Sequence, residues 1–261
     1  MRARSAKRNR WLVVLATAGV ALAALPGATT LANPTVDHFI YLPLVRNYTV
    51  APANLANGSF EDEHWYTNPQ GNQEPTGWSF YSPAAGQVMP FPTKNANGSL
   101  VPAVSDGPGE YIHKYSSQLP KNERLGAPRG LILDGNLVYK AFGFYIAQAL
   151  RLSQVVTGNP GEFLRVTGYI LGESHEIGPF ENDDFIASVR LGDVADTRER
   201  VVMVQNHDVP GNERAWNRFE VVAPVPGSGQ LTLTIIVQQN WQNRTDFFLD
   251  NFRAERIIVT P

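Results

Sequence analysis

The chain has 261 residues, 43% of them apolar, with 22 Gly, 19 Pro and no cysteine. The missing cysteine excludes a disulfide framework, a thiolate nucleophile and a cysteine-ligated metal, and the apolar fraction excludes a disordered chain. Five of the 22 basic residues and none of the 24 acidic ones precede Trp11, so the chain without them carries a net charge of −7; this excludes the basic stripe that nucleic acid or an anionic membrane surface requires.

Arg2, Arg4, Lys7, Arg8 and Arg10 lead into an apolar run from Trp11 to Leu25, followed by small residues up to Ala32. This basic, apolar, small-residue succession is the layout of a secretory signal peptide, and the run is shorter than the roughly 20 residues a bilayer-spanning helix needs. Cleavage near Ala32 is expected, giving an exported protein that is secreted or held at the cell surface. Residues 33–53, with Phe39-Ile-Tyr-Leu-Pro-Leu-Val45 set among prolines, read as an extended arm or linker. Residues 54–261 read as one domain, because no Ser/Gly-rich or charged linker divides them.

Within that domain, Asn54-Leu-Ala-Asn-Gly-Ser-Phe-Glu61 and Pro75-Thr-Gly-Trp-Ser-Phe80 read as short strands, their aromatics Phe60 and Trp78 serving as core anchors. The Pro-, Gly- and Asn-rich stretches 62–74 and 82–109 read as long inserted loops, and Glu110–Tyr115 and Gly130–Gly135 as short strands. Phe144, Ile146, Gln148, Leu150 and Leu152 alternate with Tyr145, Ala147, Ala149 and Arg151. That period of two predicts a strand, and Thr157-Gly-Asn-Pro-Gly161 then predicts a tight turn into a second strand from Leu164 to Ile170. Further strands are expected at Asp184–Leu191, Val201–Gln205, Trp216–Val222, Leu231–Val237 and Asp246–Ile257. Roughly ten strands without a convincing helix predict an all-β chain, an antiparallel two-sheet β-sandwich with long inserted loops.

The opening Asn54–Glu61 and Pro75–Phe80 segments, the central Ile-x-Gln-x-Leu-x-Leu run with its Gly-rich turn, and the closing Asp246-Phe-Phe-Leu-Asp-Asn-Phe252 occur in one order. Together they resemble the jelly-roll carbohydrate-binding modules of the galactose-binding-like superfold, over about residues 54–257. The resemblance implies a structural calcium held by Glu61 and Asp250 with backbone carbonyls near Ser59; otherwise both are solvated strand-end carboxylates. It implies core roles for Trp78 and Trp216.

A sugar site needs flat rings for apolar C–H faces and amide, carboxylate or guanidinium groups for hydroxyls. Trp65 beside Tyr66, and Trp241 beside Gln242-Asn243-Arg244, stand in expected loops and suit that role, unless they fold back over a sheet edge. Tyr145 and Tyr169 frame Ala147, Ala149, Arg151 and Arg165, either as a shallow groove on the sheet or beneath an inserted loop. His38, His64, His113, His175 and His207 form no metal-binding spacing. Glu173, His175, Glu176, Glu181, Asp183 and Asp184 cluster in one acidic stretch that offers carboxyl groups for glycoside cleavage or simply a solvated loop. The expected function is non-catalytic binding of a carbohydrate, a polysaccharide or glycan. Its rivals are a polysaccharide-cleaving lyase or hydrolase and a cell-envelope adhesive or structural module.

Overall fold

Alternation of apolar and polar side chains organises the chain into strands, and the buried member of each pair turns toward one shared core. The computed structural model describes residues 48–95, 97–127, 129–174, 185–193, 197–203, 206–207, 215–240 and 244–259. The expected signal peptide, the arm up to residue 47, most of the acidic stretch after Glu173, and Trp241 lie outside the described residues. The strands in chain order are β1 (Tyr48–Pro52), β2 (Trp65–Thr67), β3 (Gln73–Pro75), β4 (Ser79–Tyr81), β5 (Thr93–Lys94), β6 (Leu100–Val101), β7 (Glu110–Tyr115) and β8 (Leu137–Phe144). They continue as β9 (Gln148–Thr157), β10 (Phe163–Ser174), β11 (Phe185–Gly192), β12 (Thr197–Met203), β13 (Asn206–His207), β14 (Asn217–Pro224), β15 (Gln230–Gln239) and β16 (Arg244–Val259).

Two sheets form the sandwich. A seven-stranded sheet runs β13-β10-β16-β8-β7, with β14 added to β10 and β1 to β16. A five-stranded sheet runs β12-β11-β15-β9-β4. All pairs are antiparallel except the short β10 and β13 contact. The chain is thus a jelly-roll β-sandwich. Leu150, Leu152, Val189, Leu233 and Ile235 of the smaller sheet meet Leu164, Val166, Ile170, Phe219 and Leu249 of the larger one in one core. Burial of these side chains is the main source of stability in a chain without cysteine.

The two central strands do not form the hairpin that their spacing predicts. β9 belongs to the five-stranded sheet and β10 to the seven-stranded one, so the turn at 158–161 carries the chain across the core. Each strand buries one face against the other sheet, a requirement the alternating pattern satisfies equally well in a hairpin or a crossover. The expected strand also starts too early: β8 ends at Phe144, and Tyr145, at φ 55°, begins a turn before β9. Asp106 holds that turn by accepting the Ala147 N–H at 2.8 Å.

Two expected strands are irregular backbone instead. Asn54–Glu61 is a series of turns in which Asn57 (φ 48°) and Phe60 (φ 58°) take left-handed conformations, while Phe60 still fills the core. Gly130–Gly135 is a loop whose Leu131 and Ile132 pack with Val138, Leu171 and Phe248 on the outer side of the larger sheet. Trp216 joins that cluster and donates its indole N–H to the Gly130 carbonyl at 3.0 Å. The inserted stretch 82–109 contains the β5–β6 pair and folds over part of the smaller sheet.

Trp78 is 7% exposed, stacks on Phe60 with ring centroids 5.7 Å apart, and donates its indole N–H to the Asn57 carbonyl. Trp78→Ala is expected to lower the unfolding free energy by about 3–5 kcal/mol, measured by denaturant titration. A loss below about 1 kcal/mol would place this ring outside the cooperative core.

Candidate functional site

The outer face of the five-stranded sheet follows directly from the strand registers. Phe80, Leu152, Ile235 and Val189 turn inward, so their neighbours turn outward in two rows. One row is Ser79, Ser153, Thr234, Arg190 and Glu199; the other is Tyr81, Arg151, Ile236, Ser188 and Val201. At ordinary strand spacing each row spans about 19 Å.

The second row is open at one end and walled at the middle. Tyr81 is 40% exposed, and the Arg151 guanidinium lies 4.5 Å above its ring. No carboxylate pairs with Arg151 among the described residues. Ile236 and Ser188 are covered, because the inserted segment docks there: the Gln238 side chain accepts the Phe91 N–H at 2.9 Å and donates to the Phe91 carbonyl at 2.7 Å. Arg190 extends over the Phe91 ring at 5.5 Å. Glu199 Oε1 accepts from both Ser188 Oγ and Arg190 Nε at 2.5 Å. Its second oxygen, and the hydroxyls of Ser79, Ser153 and Thr234, have no protein partner among the described residues. An aromatic ring, a guanidinium, a fixed carboxylate and free hydroxyls thus share one surface.

The residues expected from the sequence are distributed differently. Tyr145 is 47% exposed at the β8–β9 turn, edge-on to Phe144 at 4.7 Å. Tyr169 lies on the outer face of the other sheet, opposite Arg218 on β14 and Asp250 on β16. The two tyrosines therefore frame no common groove, since the strands bearing them cross between sheets. Ala147 and Ala149 pack beneath Met89 and Ala103, so the inserted loop covers them. Around Tyr169 the charges pair with one another: Arg218 with Glu220 at 2.6 Å and Arg165 with Glu255 at 2.5 Å. Arg244 opens β16 with its backbone opposite Phe144.

Trp65 stands in a strand rather than a loop. Its ring lies flat on His113, with centroids 4.5 Å apart and planes at 15°, so one face is already taken. His113 is 3% exposed, Tyr139 meets it edge-on at 5.0 Å, and its Nδ1 lies 3.2 Å from Gln73 Oε1. Burial holds its imidazole down at about 4, against a weak upward pull from Asp62.

Glu61 and Asp250 reach one loop from two sides. Glu61 Oε1 and Oε2 accept the N–H groups of Leu137 and Asn136 at 2.8 and 2.9 Å. Asp250 Oδ2 accepts from Leu133 and Asp134 at 2.7 and 3.2 Å, and Oδ1 from Asn251 at 2.6 Å. Burial pushes the Asp250 carboxyl up to about 7; the amides pull it down, and the charge of Glu61 adds a smaller upward push. No cationic side chain pairs with either carboxylate among the described residues, so the charge of the pair suits a divalent cation. The side-chain ligand set is short, and no group of three or more acidic or histidine residues converges among the described residues. Glu173 is buried, with Arg129 at 3.7 Å from its carboxylate.

Sequence reading missed Tyr81, Ser153, Thr234, Arg190 and Glu199. Their outward parity was available from each strand alone, but strand adjacency was not.

No protein-family model and no curated protein matches the chain. Among solved structures it is similar to TmCBM61 in complex with β-1,4-galactotriose, at 13% identity over 78% of this chain and 98% of that one, with a TM-score of 0.47. It is also similar to the Stig cyclase Fisc from Fischerella sp. TAU, at 15% identity over 81% and 100%, with a TM-score of 0.46. A family 16 carbohydrate-binding module matches 48% of this chain and 79% of that one at 14% identity, with a TM-score of 0.32.

His113 supplies a pH test. Its unfolded pKa is near 6.5, so the unfolded chain binds the extra proton first, and this contribution to stability falls as pH drops from about 6.5 to 4. Asp250, held up to about 7, gives the opposite slope over an overlapping range. The expected result is therefore a difference: His113→Phe loses up to about 3 kcal/mol less than wild type between pH 7 and 4 in denaturant titrations. Parallel curves would show that His113 does not stay neutral.

Proposed function

We propose that this is an exported, non-catalytic carbohydrate-binding protein, and that the open outer face of the five-stranded sheet holds a polysaccharide or glycan chain. The observation carrying this reading is the exposed Tyr81 ring under Arg151, continued by Ser153, Thr234, Arg190 and Glu199 across neighbouring strands. Such a surface sets an aromatic ring, capped on one face by Arg151, beside hydrogen-bonding groups fixed by the sheet, a combination that suits a sugar ring and its hydroxyls. Glycoside cleavage ordinarily needs two carboxyl groups flanking the bond. Among the described outward residues of the two rows there is one, Glu199. Export rests on the basic and apolar amino-terminal segment.

Binding is tested by affinity electrophoresis and calorimetry with soluble galactan, xylan, mixed-linkage glucan and pectate. Tyr81→Ala and Arg151→Gln are expected to weaken the retained glycan by about tenfold or more, with melting temperatures within a few degrees of wild type. Retention of none of these polymers by the wild-type protein, or unchanged affinity in both variants, would reject the face as the site. Release of shortened sugars would reject the non-catalytic reading.

Calcium joining Glu61 to Asp250 belongs to the same proposal. There it would favour the ionised form of Asp250 that burial disfavours, and fasten the turn-rich opening segment to the last strand. A chelator is expected to lower the melting temperature by roughly 5–10 °C, with the difference absent in Asp250→Asn. Coincident melting curves with and without chelator would remove calcium from the account.

A further inference from the structure

A pocket of about 470 Å³ lies where the segment after β1 runs beside β16. Its size falls within the roughly 300–1,000 Å³ range of small-molecule sites. Ala53 donates its N–H to the Ala254 carbonyl and Phe252 donates to the Gly58 carbonyl, both at 2.9 Å, so the two walls are tied together by backbone. Gly58 is required there, since a Cβ would stand 2.1 Å from the Phe252 carbonyl oxygen. Asn251, at φ 55°, sits in the irregularity where β10 pairs Thr167 with Arg253 but Tyr169 with Asp250. That extra residue sets the Asn251 side chain in the pocket lining.

The lining is part apolar and part polar. Ala53, Leu55 and Ala254 supply apolar surface, and Ser59, Asp134, Asn251 and Arg253 supply polar groups. Arg253 Nε donates to Asn251 Oδ1 at 2.7 Å, and its Nη2 lies 3.3 Å from Asp134 Oδ2. These contacts fix the guanidinium and leave donors and acceptors over. The Asn251 amide N–H groups, the Ser59 hydroxyl and the second Asp134 oxygen have no protein partner among the described residues.

This arrangement selects a ligand by charge and shape. Of the two lining carboxylates, Asp134 faces the guanidinium of Arg253 and Glu255 is paired with Arg165, so neither an anion nor a cation is favoured outright. An aliphatic ligand would strip water from four polar groups without replacing its hydrogen bonds. A neutral, compact molecule with one C–H face and several hydroxyls satisfies both parts. We propose that this pocket binds a single monosaccharide ring, as a second sugar site distinct from the sheet face. It does not rest on the sheet-face reading, because none of its lining residues lies on that sheet.

The experiment is an amide-resolved NMR titration of the full exported chain with galactose, glucose, mannose and xylose at millimolar concentrations. At least one sugar is expected to shift the Ser59, Asn251 and Arg253 amides saturably. Ser59→Ala and Asn251→Gly are each expected to weaken it roughly fivefold, the effect of one lost hydrogen bond of about 1 kcal/mol. Glycine is chosen at 251 because it accepts positive φ, and Ser59→Ala tests the polar lining without touching the strained residue. Tyr81→Ala is expected to leave this titration unchanged. The proposal is overturned if none of the four sugars shifts these amides, if both pocket variants titrate like wild type, or if only sheet-face amides respond. The last outcome would leave the sheet-face reading intact, whereas pocket shifts without polymer retention would remove only the sheet-face reading.

Discussion

Phe60 is the fastening on which the architecture depends. It stacks against Trp78 and Tyr139 at 5.7 and 5.3 Å and meets Phe252 edge-on at 6.4 Å. Those partners belong to the opening segment, to β8 and to β16, so one ring joins the chain's irregular start to the sheet that closes the fold. It holds this place from a left-handed backbone conformation, which is costly for a bulky side chain. The burial of four aromatic rings offsets that cost. Its neighbours inherit their positions: Glu61 reaches the 136–137 amides, while Asn57, Gly58 and Ser59 form a wall of the edge pocket.

Both outer faces of the sandwich pair arginine with glutamate, Arg190 with Glu199 on the smaller sheet, but they differ at Arg151. On the larger sheet, Arg165 pairs with Glu255 across adjacent strands at 2.5 Å and Arg218 with Glu220 along β14 at 2.6 Å, around Tyr169. That surface satisfies itself. On the smaller sheet, Arg151 spends its cation on the Tyr81 ring instead, and the neighbouring hydroxyls remain available. Exposed ion pairs add little stability, so the difference bears on recognition more than on folding. The inserted 82–109 segment sharpens it, since docking Phe91 on Gln238 walls the middle of the face and leaves the Tyr81 end open.

Buried ionisable groups mark where the sandwich is closed. Asp250 and Glu61 hold the 133–137 loop by four amide hydrogen bonds, which gives irregular backbone the partners that strands otherwise provide. His113 remains a neutral ring between Trp65 and Tyr139, so the short β2–β3 hairpin rests on an aromatic stack. In a protein with no cysteine, such local fastenings take over the loop-tying role that disulfides have elsewhere.

The sequence by itself determined the all-β class, the two-sheet sandwich and the identity of most core side chains, because a period of two states which face of a strand is buried. Flanking turn residues also singled out Phe60 and Trp78, and the resemblance to jelly-roll carbohydrate-binding modules singled out Glu61 and Asp250. The sequence did not determine which strands are neighbours. Leu152 and Leu164 show the same alternation whether their strands pair or face each other across a core, and only long-range packing put β9 and β10 in different sheets. That one decision separated Tyr145 from Tyr169, and brought Tyr81, Arg151, Arg190 and Glu199 onto a single surface from strands far apart in the chain. Tertiary structure alone made the edge pocket too, since its walls are backbone segments nearly 200 residues apart that meet through the Gly58 and Phe252 hydrogen bond.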